Sequence, residues 1–261
     1  MNSMWVIKMK SITIPKEMTA QLAEEIGIHI GDGSLLIRPE SGHYEYYVCL
    51  SKEEKEYAEY VCSLMFSLYS IEGKPRESSK DRSLLVLFSS KALASWKLHL
   101  GLPSGDKGQI SIPKSVLDSM FVFDCIRGIF DTDGTIMFKK KQKDVHSYPI
   151  IKITSKSRVL ISQLFGIVSK VGFTCHTYYD EKKICPSGRI SLTHHLLVGG
   201  SKSVELWMDK IGSKSPIQMS KYLIWKRFGF CPPYTTLRMR RSILDGRIDP
   251  LVFEKDAGGE I

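Results

Sequence analysis

The residues best suited to a chemical function are two aspartates, Asp32 and Asp133. Each ends a short apolar segment and precedes a glycine. Small residues four positions apart mark each segment: Gly27 and Gly31 in the first, Gly128 and Thr132 in the second. Residues four apart share a helix face, so two such helices can pack at backbone contact. That packing would bring both carboxylates to two negative helix C-termini, and their mutual repulsion predicts a bound divalent cation.

The elements around the aspartates predict a duplicated domain. Each aspartate segment is followed by two strands, a helix, two strands and a helix, and the second copy follows the first at offsets of 101 to 111 residues. The predicted organisation is a basic leader (1–18), a first half (19–102), a linker (103–119), a second half (120–213), and a C-terminal helix with a basic tail (214–261). Thr19 is the expected cap of the first helix. Gly33 and Gly134 are expected to close the aspartate helices in the left-handed conformation.

The overall charge indicates the class of partner. A formal net charge of +9 favours a polyanion, either nucleic acid or an anionic membrane surface. No apolar run is long enough to span a bilayer, and no secretory signal is recognisable at the N-terminus. The six cysteines form no CxxC pair, which argues against a disulfide framework or structural zinc. A reducing interior is therefore expected, cytoplasmic beside the nucleoid or inside an organelle, and not secreted.

The chain resembles the LAGLIDADG homing endonucleases in their single-chain, two-motif form. The features that carry this resemblance are the two aspartate helices, the duplication and the basic charge. The resemblance implies an α+β fold of two pseudo-symmetric αββαββα units, with central packed motif helices and two antiparallel sheets forming a DNA-binding saddle. It also implies a monomer that cuts both strands of a long asymmetric DNA site, leaves short 3′ overhangs and promotes intron homing. Two or three Mg²⁺ ions are implied, for which Mn²⁺ or Ca²⁺ can substitute in binding. The implied metal-site residues are Asp32, Gly31, Asp133 and Thr132.

Two lysines are candidate catalytic residues beside the two aspartates. Ser51-Lys52 and Ser155-Lys156 occupy matching places in the two halves, where the family often has Gln or Asn followed by Lys. Lys52 and Lys156 would stabilise charge on the two phosphates, one in each half; the alternative is a solvated lysine at a helix start. The family's earlier motif aspartate corresponds to Ile30 in the first copy and Asp131 in the second, neither of which is expected to bind metal.

Base recognition is expected from alternate side chains of the strands, because a β-ribbon fits the major groove. In the second half Ser191, Thr193 and His195 are assigned to DNA with Arg189, and Ile190, Leu192, Leu196 and Val198 to the core. The register of residues 43–50 is left open, because both faces are partly apolar. The remaining predicted DNA-binding residues are Arg38, Lys74, Arg76, Lys80, Arg82, Lys139, Lys141, Lys152 and Thr154. Of these, Lys139 and Lys141 belong to a lysine run that also includes Lys140 and Lys143.

Two other functional classes remain. One is an intron maturase, with intron RNA as partner, or a cleavage-deficient nucleic-acid-binding protein on the same fold; retention of both aspartates favours the nuclease. The other is a basic α/β protein whose Asp-Gly segments are only turns, which the aligned repeat disfavours. An intein-borne form would need a nucleophile at residue 1 and a terminal His-Asn pair. The chain begins with Met1 and ends with Ile261, so self-splicing is not expected.

Overall fold

A computed structural model describes residues 12–78, 83–141, 144–184, 188 and 190–256. The first unit comprises α1 (Ala20–Ile30), β1 (Gly33–Arg38), β2 (His43–Ser51), α2 (Lys55–Tyr69), β3 (Lys74–Glu77), β4 (Ser83–Ser89) and α3 (Lys91–His99). A short helix, α4 (Lys114–Leu117), lies in the connection. The second unit comprises α5 (Val122–Asp133), β5 (Gly134–Lys139), β6 (Tyr148–Ser155), α6 (Arg158–Lys170), β7 (Cys175–Ile184), β8 (Ile190–Gly199) and α7 (Ser201–Lys210). The chain continues with α8 (Pro216–Phe228), α9 (Leu237–Leu244) and α10 (Val252–Asp256).

The two sheets have the same topology. Strands are ordered β1-β2-β4-β3 in the first sheet and β5-β6-β8-β7 in the second, and neighbouring strands are antiparallel throughout. Because each unit repeats helix, two strands, helix, two strands and helix, the predicted α+β architecture of two αββαββα units is confirmed.

Helix starts follow the capping chemistry, with two shifts from the expected places. Thr19 caps α1 as predicted, since its hydroxyl accepts from the Leu22 amide at 3.2 Å. Ser51 caps a single 3-10 turn, Lys52–Glu54, and forms a capping box with Glu54. Helix α2 then begins at Lys55. In the second unit Ser157 caps α6, so Lys156 lies just before the cap.

The motif helices α1 and α5 cross at backbone contact, as their small residues predict. A Cβ added to Gly27 would lie 2.0 Å from the Cys125 carbonyl oxygen, and one added to Gly128 would lie 2.2 Å from the Glu24 carbonyl oxygen. Both distances are far inside van der Waals contact. Glycine is therefore required at both positions by space alone.

The expectation for Gly33 and Gly134 is wrong. Gly134 has φ −101° and ψ 162°, and both glycines begin strands instead of closing helices in the left-handed conformation. Their reason is again space: a Cβ on Gly33 would lie 2.5 Å from His29 Cα, and one on Gly134 would lie 2.5 Å from the Phe130 carbonyl oxygen. Each glycine lets its strand turn tightly against the preceding helix.

A single hydrophobic core runs through both units and takes in the segment predicted as a linker. Leu102, Ile110, Ile112 and Val116 are all buried in it. Polar contacts hold the same segment, since the Ser157 hydroxyl donates to the Ile110 carbonyl at 2.6 Å. The connection between the units is therefore packed structure.

The C-terminal segment adds a second, smaller core formed by Ile224, Trp225, Cys231 and Ile243. In its basic sequence Arg240 is buried, and its Nε donates to the Ser220 hydroxyl at 2.9 Å. Among the residues that the structure describes, no helix is both long and apolar enough to cross a membrane.

The core assignment in β8 is half right. Leu196 and Val198 are fully buried, as predicted. Ile190 and Leu192 are 58% and 46% exposed, so their assignment to the core is wrong. The alternation predicted the correct face, but the outer end of the β7–β8 hairpin is uncovered there in the described part of the chain.

Candidate active site and nucleic-acid interface

Asp32 and Asp133 lie next to each other where the motif helices end. Asp32 follows the C-cap residue Gly31, and Asp133 is the last residue of α5. A Cβ on Gly31 would lie 1.9 Å from the Thr132 hydroxyl and 3.5 Å from the Asp133 amide nitrogen, which brings the two Asp-Gly ends side by side. Since each aspartate directly precedes the first strand of its sheet, the pair lies where both sheets begin.

The electrostatics of this pair are those of an acidic site short of positive charge. Burial and then the neighbouring charge of Asp133 raise the pKa of Asp32 to about 8. Burial also raises the pKa of Asp133, to about 6. Both shifts disfavour the charged form of the carboxyl groups, and a nearby cation would oppose them.

Lys107, from the connection between the units, supplies one such cation. Its Nζ donates to the carbonyl oxygens of His29 at 2.9 Å and Ile30 at 3.3 Å, and also to that of Gly31. These are the unsatisfied carbonyls at the negative end of α1. The charge of Lys107 lowers the pKa of both aspartates, opposing the effect of burial. Sequence reasoning missed this residue because a lysine among linker glycines has no distinguishing signal.

A second lysine, Lys221, and a third carboxylate, Glu54, also contribute charge near the aspartate pair. The charge of Glu54 contributes to the raised pKa of Asp32. Lys221 of α8 donates to the Thr135 hydroxyl at 2.9 Å, two residues beyond Asp133, and burial lowers the pKa of Lys221 to about 8. Lys221 could not be found from the repeat, because α8 lies outside the duplicated units.

Asp131, the extra motif aspartate of the second copy, has a separate task. Its carboxylate accepts hydrogen bonds from the Ser213 hydroxyl and from the Lys214 amide at 2.8 Å. It therefore anchors the chain leaving α7 to the second motif helix.

The available donors would fit a magnesium-like ion that takes only some of its ligands from the protein. The described residues contain no cluster of three or more His, Cys, Asp or Glu side chains arranged for a metal. Mg²⁺ commonly takes only one or two carboxylates, with water and phosphate oxygens completing the octahedron. Of the other predicted metal-site residues, the Gly31 carbonyl accepts from Lys107, and the Thr132 hydroxyl donates to the Gly128 carbonyl at 2.8 Å. Asp32 and Asp133 are thus the side chains suited to hold the metal.

The predicted catalytic lysines directly follow corresponding strands, Lys52 after β2 and Lys156 after β6. Lys52 Nζ is 3.7 Å from Glu77 Oε2, while Lys55 binds the same carboxylate at 2.8 Å. Lys156 is exposed. The serines that precede them are used in local turns: the Ser51 hydroxyl accepts from the Glu53 amide, and the Ser155 hydroxyl accepts from the Ser157 amide.

Each sheet has a face turned away from its helices, here called the open face. In β2 the side chains of Tyr46, Val48 and Leu50 are buried, which resolves the register and puts Tyr47 and Cys49 on the open face. Directly paired residues of neighbouring strands share a face, and His43, Leu85 and Leu87 lie on the open face with Tyr47 and Cys49. Three predicted DNA-binding residues pair with them and therefore share this face: Arg38 with His43, Lys74 with Leu87, and Arg76 with Leu85.

The open face of the second sheet carries the other predicted strand residues. Lys152, Thr154, Ser191, Thr193 and His195 lie there, opposite the buried Ile151, Ile153, Leu196 and Val198. Lys139 ends β5, Lys140 and Lys141 follow it, and the Lys141 ammonium lies 4.3 Å from the centre of the Tyr148 ring. The predicted residues Lys80, Arg82, Lys143 and Arg189 lie outside the described residues.

His195 occupies the predicted face but is not a free reader of DNA. Its ring is buried, with Nδ1 2.9 Å from the Thr154 hydroxyl and Nε2 2.6 Å from a carboxylate oxygen of Glu181. Both ring nitrogens are therefore engaged within the protein.

Comparison with known proteins agrees with this architecture. Residues 120–212 match the model of the LAGLIDADG-like domain. Two proteins of Methanocaldococcus jannaschii are similar in sequence: glutamine–fructose-6-phosphate aminotransferase [isomerizing], 27% identical over 214 residues, and replication factor C small subunit, 24% identical over 209 residues. The matches cover 80% and 78% of this chain, but only 18% and 10% of those proteins. This chain therefore spans less than a fifth of the length of either protein.

Solved structures of the homing endonuclease I-DmoI have the same fold. The complex with DNA and Ca matches with a TM-score of 0.50 and 16% identity, over 76% of this chain and 93% of the other. Mesophilic variants of I-DmoI match with a TM-score of 0.50 and 17% identity, over 74% and 95% of the two chains. Residues 120–212 thus resemble a LAGLIDADG-like domain, and over 74–76% of its length the chain shares the fold of the homing endonuclease I-DmoI.

Proposed function

We propose that this protein is a site-specific homing endonuclease that hydrolyses both strands of a long, asymmetric double-stranded DNA site and leaves short 3′ overhangs. The observation that carries the proposal is the convergence of Asp32 and Asp133 at two helix ends in backbone contact, at the start of both sheets. Burial raises the pKa of both carboxyl groups, so a bound cation would favour their ionised form at this place.

Divalent cations supply the chemistry that two carboxylates lack. Mg²⁺ held by Asp32 and Asp133 would activate water and neutralise charge on the phosphate and the leaving oxygen. Two or three ions are proposed, and Mn²⁺ or Ca²⁺ would support binding.

The chain's own contribution is orientation and fixed positive charge. Lys107 is held by three carbonyl groups at the C-terminal end of α1, so its ammonium is already positioned when negative charge develops nearby. Lys221 offers a second charge beside Thr135. Lys52 and Lys156 are proposed to approach the two phosphates, one from each half. Charges that are fixed in advance stabilise a transition state more than mobile ones.

The two open faces explain why the site would be asymmetric. The first carries Tyr47 and Cys49, and the second carries Lys152 and Thr154 at comparable places near the sheet centre. Different side chains read different base edges. The motif helices already pack against each other within one chain, so a monomer suffices.

The direct test is cleavage of a host-genome DNA library by the purified protein with Mg²⁺, followed by sequencing of the cut ends. We expect double-strand breaks at one long site, with short 3′ overhangs. Asp32→Asn and Asp133→Asn are the matched controls, and we expect both to bind the site without cutting both strands. Cutting at the wild-type rate by either variant would refute the metal-site assignment.

The same protein and variants distinguish the nuclease from a maturase or a cleavage-deficient binding protein. Selective binding of DNA or of an intron RNA by the wild-type protein, with no cutting under any divalent metal, would indicate a maturase or a cleavage-deficient binding protein. Retention of both aspartates favours the nuclease.

A further inference from the structure

An acidic side chain, Glu181, stands on the open face of the second sheet. Its side chain is 61% exposed, and its backbone pairs with Thr193, which lies on the same face as His195. In a protein of net charge +9 proposed to bind DNA, a carboxylate here would repel phosphate. Its presence on this face therefore needs an explanation.

A β-bulge turns Glu181 onto this face. Strand β7 pairs Tyr178 with His195 and then Glu181 with Thr193, so β7 has one residue more than β8 in this stretch. Because side chains alternate along a strand, Glu181 would face the other way in a regular ladder. The extra residue places Asp180 in the left-handed conformation, with φ of 59°.

Hydrogen bonds from both the backbone and the side chain of Asp180 stabilise the bulge. Its amide donates to His194 Nδ1 at 3.0 Å, and its carboxylate accepts from Arg158 at 2.9 Å. A left-handed non-glycine residue costs on the order of 1 kcal/mol, so these contacts hold a conformation that the chain would otherwise avoid. The fold thus maintains the bulge that presents Glu181.

A chain of hydrogen bonds fixes how the carboxylate points. The Thr154 hydroxyl is 2.9 Å from His195 Nδ1, and His195 Nε2 is 2.6 Å from Glu181 Oε2. The histidine ring is buried and therefore cannot swing away. With one carboxylate oxygen held by the ring, the other remains available to a ligand on the open face.

The chemistry of base edges identifies that ligand. A carboxylate only accepts hydrogen bonds, and in the major groove guanine offers acceptors and thymine an acceptor beside a methyl group. Adenine has an amino group beside the acceptor N7, which would repel the second oxygen. Cytosine presents its N4 amino group with no competing acceptor, so it matches a single oriented carboxylate best.

We propose that Glu181, positioned by His195 and Thr154, selects cytosine at one base pair of the half-site that the second sheet contacts. The proposal rests on the proposed function, since it names a specificity determinant of the same DNA interface. Glu181 is the base-reading group, and His195 is a positioning residue.

The test is selection of bound sequences from a randomised duplex library in Ca²⁺, compared among variants. Wild-type protein should enrich a long site that contains a cytosine whose preference over the other bases falls about tenfold in Glu181→Gln, the scale of one base-specific contact. Preferences elsewhere should be unchanged. His195→Ala should weaken the same preference and no other.

Glu205→Gln is the matched control, because Glu205 lies on α7, pairs with Lys226 at 2.6 Å, and undergoes the same loss of charge. Its sequence profile should equal that of the wild type. A Glu181→Gln profile identical to the wild type, or one relaxed equally at all positions, would overturn the role of Glu181. Failure of the wild-type protein to enrich any sequence would instead refute the DNA-binding function itself.

Discussion

Lys107 Nζ lies 2.9 Å from the His29 carbonyl oxygen and also donates to Gly31, the residue before Asp32, so the connection between the two units closes the first motif helix. The same ammonium lowers the pKa of both motif aspartates. One side chain thereby joins helix capping to the electrostatics of the candidate site.

Lys107→Met should therefore reduce cleavage much more than binding. We expect the single-turnover rate to fall about 100-fold, the scale of removing one fixed charge near a developing negative charge. Lys114→Met is a suitable control, since it removes an exposed lysine from the same connection. Equal effects of the two substitutions on the rate would contradict the assignment.

Gly27→Ala should destabilise the whole molecule, because its Cβ would collide with the Cys125 carbonyl at 2.0 Å. Overpacking of this kind costs about 1–3 kcal/mol in unfolding free energy, measured by denaturant titration. Gly166→Ala is the matched control within α6, where an added Cβ meets nothing within 4 Å. That change should instead stabilise by about 0.5–1 kcal/mol, as expected for Ala over Gly in a helix.

The sequence predicted the framework of the site because small residues, Asp-Gly ends and alternation are local signals. Gly27 and Gly128 had to face each other for the two segments to make sense, and they do. The repeat predicted the two sheets for the same reason.

What the sequence could not provide depends on contacts between distant segments. Lys107 and Lys221 come from outside the repeat, so no register pointed to them. His195 lies on the predicted face, but its Nε2 is engaged by Glu181, which reaches that face only through a bulge. Alternation alone does not reveal an inserted residue.

Asp32→Asn should stabilise the protein when divalent cations are absent, and increasingly so as the pH rises. The pKa of Asp32 is about 8 in the native state against 3.8 as the reference, so the native state holds a proton that the unfolded chain has released. Native stability therefore falls as the pH rises between about 4 and 8. The amide cannot ionise, so thermal melts at pH 5 and pH 8 should show a larger gain in Tm at pH 8.

Gln218 should stabilise the start of β5, directly after Asp133. Its side chain accepts from the Ile136 amide at 2.9 Å and donates to the Gly134 carbonyl at 3.1 Å, which pairs the free edge of β5 directly after Asp133. Gln218→Leu leaves two buried backbone groups without partners and should cost about 1–3 kcal/mol. Gln109→Leu alters an exposed glutamine and should leave the unfolding free energy unchanged.

DNA affinity should fall steeply with salt, because phosphate contacts release condensed counterions. The slope of log K against log salt measures those contacts, at about 0.9 for each phosphate neutralised. Lys139 ends β5 on the edge of the second sheet and lies in the basic run expected to contact phosphate. Lys139→Gln should reduce the slope by about one, whereas Lys170→Gln, at the far end of α6, should leave it unchanged. A slope near zero for the wild-type protein would argue against phosphate contact by either sheet, and equal losses in both variants would indicate only the overall charge.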